Sequence, residues 1–271
     1  FEKLFYSLLG RSHKITPNHK FTFNNALYSI DSTTIDLCLN LFDWAKYQRT
    51  KGALKIHTLL NNQTMIPEFL ILSDGKKGDI TAAKEMPLSL EKGSILVFDR
   101  GYIDYEWWEK ISSQGLFFVS RVRKNLNLFV VGQHKTCMDK GVLADETVIF
   151  GDYNALEKHP DTKLRRVKYY DEAHDKILVF ITNNFELSGL QIASIYKDRW
   201  QIELFFKWIK QNLKIKTFLG TSKNAVMSQI WVAMIYYLLL SYVKFQTKFG
   251  RTILEFTRMV KETLMDRVNL I

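Results

Sequence analysis

The chain has 271 residues, 46% of them hydrophobic, which supports a sizeable core in one large domain or two smaller ones. Its 38 Lys and Arg against 28 Asp and Glu leave a net charge of +10, which asks for a polyanionic partner: nucleic acid or an anionic membrane surface. Cys38 and Cys137, far apart in sequence, exclude a disulfide framework and a Cys-based metal site and fit a reducing cytoplasm, and the six histidines show no metal-ligand spacing.

In chain order, Phe1 to Lys20 read as a helix and a polar connector. Strand patterns follow in Phe23 to Leu39 and in Leu54 to Leu72, the second a hairpin turning at Asn61-Asn62. Within the first, the apolar run Ala26-Leu-Tyr-Ser-Ile delivers Asp31, followed by three hydroxyl residues. Asp79 to Met86 starts as a helix with Asp79 as N-cap. Ser94-Ile-Leu-Val-Phe is a short buried strand that ends on Asp99, and Gly101 lets the chain turn. Carboxylates at strand ends of an α/β sheet stand where ligands usually bind. Tyr105 to Ser113 is helical and Phe117 to Arg121 is another strand.

From Asn125 to Asn183 helical periodicity gives way to β-like runs: Leu126 to Val131, Thr147 to Phe150, Leu164 to Tyr170 and Ile177 to Thr182. They read as a small antiparallel β insertion. Lys163, Arg165, Arg166 and Lys168 form a basic strand there, suited to lie along DNA or to protect a sheet edge with charge. Leu190 to Leu213 is one amphipathic helix. The twenty uncharged residues Asn224 to Val243 are long enough to span a bilayer, yet Ser228, Gln229, Tyr236, Tyr237 and Ser241 favour a buried core helix. Leu254 to Ile271 is an amphipathic tail suited to dimer contacts.

The helix at Leu190 to Leu213 is the most informative stretch. At about 100° per residue, Ile195, Ile202, Phe205, Phe206, Trp208, Ile209 and Leu213 face a core. Tyr196, Arg199, Trp200, Glu203, Lys207, Lys210 and Lys214 share the other arc. A solvated face with an i,i+4 Glu203–Lys207 pair would also give this pattern. One acid among many cations, however, suits a metal ion flanked by phosphates. Together with Asp31 and Asp99 it makes three carboxylates in a telling order.

On these residues the chain resembles the DDE transposases of bacterial insertion sequences, in the IS-four-like group that carries the YREK signature. Tyr196, Arg199, Glu203 and Lys210 match that signature without a spacing error, and Asp31 in IDST and Asp99 in FDRGY match the first two acids. The resemblance runs from about Phe23 to about Tyr242. It implies an α/β fold: an RNase H-like core with a mixed five-stranded sheet flanked by helices, and a β-rich insertion before the catalytic glutamate helix. The expected division is core over residues 1–124, insertion over 125–185, and the remaining core with a helical tail over 186–271.

The implied chemistry is DNA cleavage and strand transfer at the ends of the element. Asp31, Asp99 and Glu203 would hold two Mg²⁺ ions, replaceable by Mn²⁺, about 3.5–4 Å apart. Asp31 would bridge both ions. By the same resemblance Arg199, Lys210 and Tyr196 would contact phosphates beside the scissile bond. Trp200 is either a base-stacking platform or a core residue. Lys207 and Arg100 extend the basic surface.

The expected partners are double-stranded DNA, as transposon ends and target, and a second copy of the chain in the DNA complex, with no membrane. The expected location is a bacterial cytoplasm, on the nucleoid. Relatives that form a hairpin intermediate place a tryptophan in the insertion. None occurs between Trp108 and Trp200, which leaves Phe150, Tyr153, Tyr169 or Tyr170 for that task. No zinc finger or helix-turn-helix is visible, so a domain reading the element's ends is expected before Phe1. A decayed element that binds DNA without cleaving it is the alternative.

Overall fold

The computed structural model describes residues 1–12, 23–38, 40–45, 52–122, 126–136, 138–160, 162–212 and 218–263. Its strands are β1 (Leu27–Leu37), β2 (Gly52–Asn61), β3 (Pro67–Asp74), β4 (Ile95–Phe98), β5 (Phe117–Arg121), β6 (Leu128–Gln133), β7 (Val142–Phe150), β8 (Leu164–Asp171) and β9 (Lys176–Thr182). They form one nine-stranded sheet in the order β3-β2-β1-β4-β5-β9-β8-β7-β6. β4 pairs parallel with both β1 and β5, whereas β2 and β3 run antiparallel. This five-strand block is the mixed sheet expected from the sequence. The strands of the insertion join it through β9, antiparallel to β5, and continue the same sheet.

The helices are α1 (Glu2–Ser12), α2 (Asp79–Glu85), α3 (Tyr105–Ser113), α4 (Tyr153–Lys158), α5 (Gly189–Asp198), α6 (Trp200–Asn212), α7 (Lys223–Gln246) and α8 (Ile253–Thr263). Strand alternation sorts them into two layers. On β4, Ile95 and Val97 pack towards α5, and Leu96 and Phe98 pack with the Trp107, Trp108 and Ile111 face of α3. Ile35, Leu54, Ile56 and Leu70 carry the first layer on towards α1, α6 and α7. Ile195, Ile202, Phe205, Phe206, Trp208 and Ile209 are all buried, as the helical arc predicted.

Several local expectations need correcting. The helix at Leu190 to Leu213 is two helices joined at Arg199. Asn62 Nδ2 donates to the carbonyl of Asp198 at 3.1 Å and to its carboxylate at 2.9 Å. Ile202 N–H then bonds one residue nearer, to the Arg199 carbonyl at 3.1 Å, which tightens the turn. Gly78, not Asp79, is the N-cap of α2, and the Asp79 side chain turns elsewhere. β1 runs six residues past Asp31, because β2 pairs with it as far as Leu37. The insertion also contains a helix, α4, capped by Asp152, whose carboxylate accepts from Ala155 N–H at 3.2 Å.

The basic strand β8 is internal, between β7 and β9, and is no edge. Arg165 is buried and donates from Nε and Nη2 to both oxygens of Asp145, at 2.7 and 2.6 Å. Arg166 pairs with Glu146 at 2.8 Å. Lys168 Nζ also stands 3.9 Å from Glu146, so three of the four cations are matched within the sheet.

The Asn61 turn forms as expected, its side chain accepting from Gln63 and Thr64 N–H at 2.9 and 3.2 Å. Helix α7 is long and apolar enough to cross a membrane. Its Val226, Ile230, Met234, Tyr237 and Leu238 are buried in the core shared with α1 and α6. Cys137, Leu213, Lys214 and the end of the tail lie outside the described residues.

Candidate active site

Asp31 and Asp99 reach the same place because two parallel strands carry them in step. The β1–β4 register pairs Leu27 with Ile95 and Ser29 with Val97, so two residues further on Asp31 stands beside Asp99. Adjacent strands lie about 4.8 Å apart. Odd-numbered residues of both strands face the α5 and α6 layer, where Glu203 waits on the first turn of α6. Each aspartate is oriented by a backbone donor. Ser32 N–H donates to Asp31 Oδ1 at 2.8 Å, and Gly101 N–H donates to Asp99 Oδ1 at 2.7 Å.

Arg199 occupies the space between the first acid and the glutamate. Its Nη1 is 2.8 Å from Asp31 Oδ2 and its Nη2 is 2.5 Å from Glu203 Oε1. The break between α5 and α6 puts it there. Burial pushes the Asp31 carboxyl up to about 6. The Ser32 N–H and Arg199 pull it back, and the charges of Asp99 and Glu203 raise it again. Asp31 is therefore within electrostatic reach of both other carboxylates.

Among the described residues no three acids, histidines or cysteines stand close enough to close around one ion. The donor set nevertheless suits a hard divalent cation, since Asp31 and Glu203 already share one cationic group and a third carboxylate is in electrostatic contact.

A cleft of about 740 Å³ opens at this point, lined by Asp31, Ser32, Thr33, Glu203, Phe206, Lys207, Lys210 and Gln211. It gathers two of the acids and two of the signature-face lysines on one wall. Asp99 does not line it. Trp200 is 56% exposed on the outer side of α6, so it is no core residue. The ring of Tyr196 packs on Phe180, with centroids 5.0 Å apart, and the Arg199 guanidinium lies over it at 5.8 Å from the ring centre. Burial raises the Tyr196 phenol, while Arg199 and Arg121 lower it. Arg100 is exposed in the turn after Asp99 and does not line the cleft. Of the insertion aromatics, Phe150 is buried against Tyr105 and Tyr153 is exposed.

Two groups near the site were not legible in the sequence. Phe98 pairs with Ser120, so the next position sets Arg121 beside Asp99 at the end of β5. An arginine directly after an apolar strand was the available signal. Asp79 lies behind Asp31 on the other face of the sheet, where Ser32 Oγ donates to it at 2.5 Å. A carboxylate opening a helix gives no such signal.

A family model described as the transposase DDE domain matches residues 25–239. The y4zB protein of Sinorhizobium fredii, which carries a transposase name, is 35% identical over 88% of this chain and 66% of its own length. The transposase-named protein of insertion sequence element IS5377 of Geobacillus stearothermophilus is 30% identical over 83% of the chain and 59% of its own length. The corresponding protein of element IS4SA of Synechocystis is 24% identical over 90% of the chain and 68% of its own length. The chain thus spans about three fifths to two thirds of these relatives. Among solved structures, a piggyBac transposase synaptic complex with hairpin DNA matches with a TM-score of 0.52 and 13% identity. That match covers 89% of this chain and 52% of the other, and bears on the fold alone.

Proposed function

The chain belongs to the transposase DDE domain family, and on that premise we propose that it cleaves and joins DNA at the ends of a bacterial insertion sequence, with Asp31, Asp99 and Glu203 as its catalytic acids. The observation that carries this reading is the arrangement of Asp31 and Glu203 around one cation-holding position, with Asp99 in register beside it. Bound Mg²⁺ would activate a water and offset charge on the phosphoryl oxygens. Asp31, Asp99 and Glu203 would hold it, two ions in all, with Mn²⁺ as a substitute.

The remaining residues act on the DNA. Arg199 turns from the carboxylates to a phosphate of the scissile strand, because a phosphodiester offers the same bidentate acceptor geometry. Lys207 and Lys210, on the cleft wall, hold flanking phosphates. Tyr196 hydrogen-bonds a phosphate through its hydroxyl, with its ring packed beside the Arg199 guanidinium. Trp200 offers its exposed ring to an unstacked base, and Arg100 adds attraction at the rim.

Water attack breaks the P–O3′ bond and leaves a 5′ phosphate and a 3′ hydroxyl. The oxygen of that hydroxyl then attacks a second phosphodiester, forming a new P–O3′ bond as the P–O3′ bond of the attacked strand breaks, and the expelled 3′ oxygen takes up the proton released. Residues 125–185 act as an insertion into a core made of residues 1–124 and 186–271. Two copies pair two ends in the DNA complex, on the nucleoid of a bacterial cell.

The test is incubation of the full-length protein with a duplex bearing the element's own end and a target plasmid. Mg²⁺-dependent joined products on a gel support the reading. End binding without nicked or joined DNA rejects it.

A further inference from the structure

A charged network lies behind the sheet, on the face away from the acids. Alternation along β1 sends Asp31 towards α6 and Ser32 towards α2. There Asp79 Oδ1 accepts the Ser32 hydroxyl at 2.5 Å and stands 2.7 Å from Lys55 Nζ on β2. His57, two residues along and fully buried, meets Ser73 Oγ through Nε2 at 3.1 Å. Its Nδ1 is 3.6 Å from Asp79 Oδ1 and has no hydrogen-bond partner among the described residues. The Lys55 and Asp79 side chains are 15% and 31% exposed, so water still screens the pair. Stability alone is a weak reason to gather these groups.

Their location supplies a better one. Ser32 is the residue whose N–H orients Asp31, and Gly101 is the residue whose N–H orients Asp99. Asp79 touches both. Its Oδ1 holds the Ser32 hydroxyl, and its Oδ2 lies 3.8 Å from the point where a side chain on Gly101 would begin. Burial first, and then the charges of Asp31, Asp79 and Asp99, raise the phenol of Tyr102, next in the turn. One carboxylate therefore backs both aspartate-bearing segments, and Lys55 pins it from β2.

We propose that Asp79 is a positioning residue for the two catalytic aspartates: through Ser32 and the Gly101 turn it fixes the backbone donors that orient Asp31 and Asp99, with Lys55 holding it in place. This rests on the reading of Asp31 and Asp99 as metal ligands. Partners of ligating carboxylates typically change metal affinity by about 10–100-fold when removed.

The test is titration of the full chain with Mn²⁺ alone, free Mn²⁺ being read by electron paramagnetic resonance. The proteins compared are wild type, Asp79→Asn, Ser32→Ala, the double variant and Asp31→Asn. Asp79→Asn and Ser32→Ala are each expected to weaken Mn²⁺ binding by about 10–100-fold. The double variant is expected to bind no more weakly than Asp79→Asn, because the serine acts in the same chain of contacts.

Wild-type Mn²⁺ affinity in Asp79→Asn or Ser32→Ala, alongside loss in Asp31→Asn, overturns the inference and leaves the active-site reading standing. Fully additive losses also overturn it. A wild-type protein that binds no Mn²⁺ overturns both readings. Ser32→Ala removes one hydroxyl and leaves the Asp79–Lys55 pair intact, so it decides the matter even where Asp79→Asn fails to fold.

Discussion

Arg199 and Asp31, 168 residues apart in sequence, form an ion pair with Nη1 2.8 Å from Oδ2, and the same guanidinium holds Glu203. The cation between these two carboxylates is thus a side chain of the protein itself. Under the proposed function, divalent ions and phosphate would take its place.

Arg199→Ala should separate metal binding from activity. With no guanidinium competing for Asp31 and Glu203, Mn²⁺ should bind the free protein roughly tenfold more tightly, about 1.4 kcal/mol. Cleavage should fall by roughly 10²-fold or more, since a charge-stabilising donor at the phosphate is lost. Calorimetry at pH 8, above the Asp31 titration, and single-turnover cleavage read the two effects. Weaker Mn²⁺ binding in the variant would contradict this account of Arg199.

Two buried groups should give opposing slopes of stability with pH. Asp31, raised by burial to about 6 from 3.8, contributes stability below about pH 4 that is lost as pH rises through 6. His57, lowered by burial to about 4 from 6.5, contributes stability above about pH 6.5 that is lost as pH falls through 4. Each is worth on the order of 3 kcal/mol at its limit. Urea unfolding in EDTA at pH 4.5 and 6.5 should therefore show a shallow dependence in the wild type. Asp31→Asn should become less stable on acidification, and His57→Asn more stable. Equal slopes in all three proteins would sink the prediction.

Asp145→Asn should destabilise the fold by about 3–5 kcal/mol, because it leaves the buried Arg165 guanidinium without its counter-charge. Arg165 also donates to the carbonyls of Asn184 and Leu187, just before α5. Its loss should therefore reach the signature helix, seen as faster amide exchange in residues 188–198. Unchanged exchange there would separate the insertion from the site.

Trp200 and Trp208, eight residues apart, should respond oppositely to alanine. Trp200 is 56% exposed, so its loss should leave stability within about 0.5 kcal/mol and weaken DNA binding by about 1–3 kcal/mol. Trp208 is buried against Tyr237, with ring centroids 4.8 Å apart, and its loss should cost about 3–5 kcal/mol of stability. Thermal melts and fluorescence anisotropy distinguish the two.

The site was legible where its residues sit on regular periods. Asp99 follows a four-residue apolar strand, and Glu203 lies on a helix whose buried arc matched at each described residue. The break at Arg199 was hidden because it depends on Asn62, a turn residue 136 positions away that captures the Asp198 carbonyl. The internal pairing of Arg165 was hidden for a similar reason: β8 is flanked on both sides only when β7 and β9 pair with it. Asp79 escaped notice because its partners reach it through the sheet from the opposite face.

The most direct test of the central claim is single-turnover cleavage of a duplex carrying the element's own end, in Mg²⁺, by wild type and Glu203→Gln. New 3′-hydroxyl ends are counted by labelling. The account predicts ends that form with wild type, vanish in EDTA and fall by at least about 10³-fold in Glu203→Gln, with end binding retained. Cleavage by Glu203→Gln at the wild-type rate would remove Glu203, and the cleft it shares with Asp31, from the reaction.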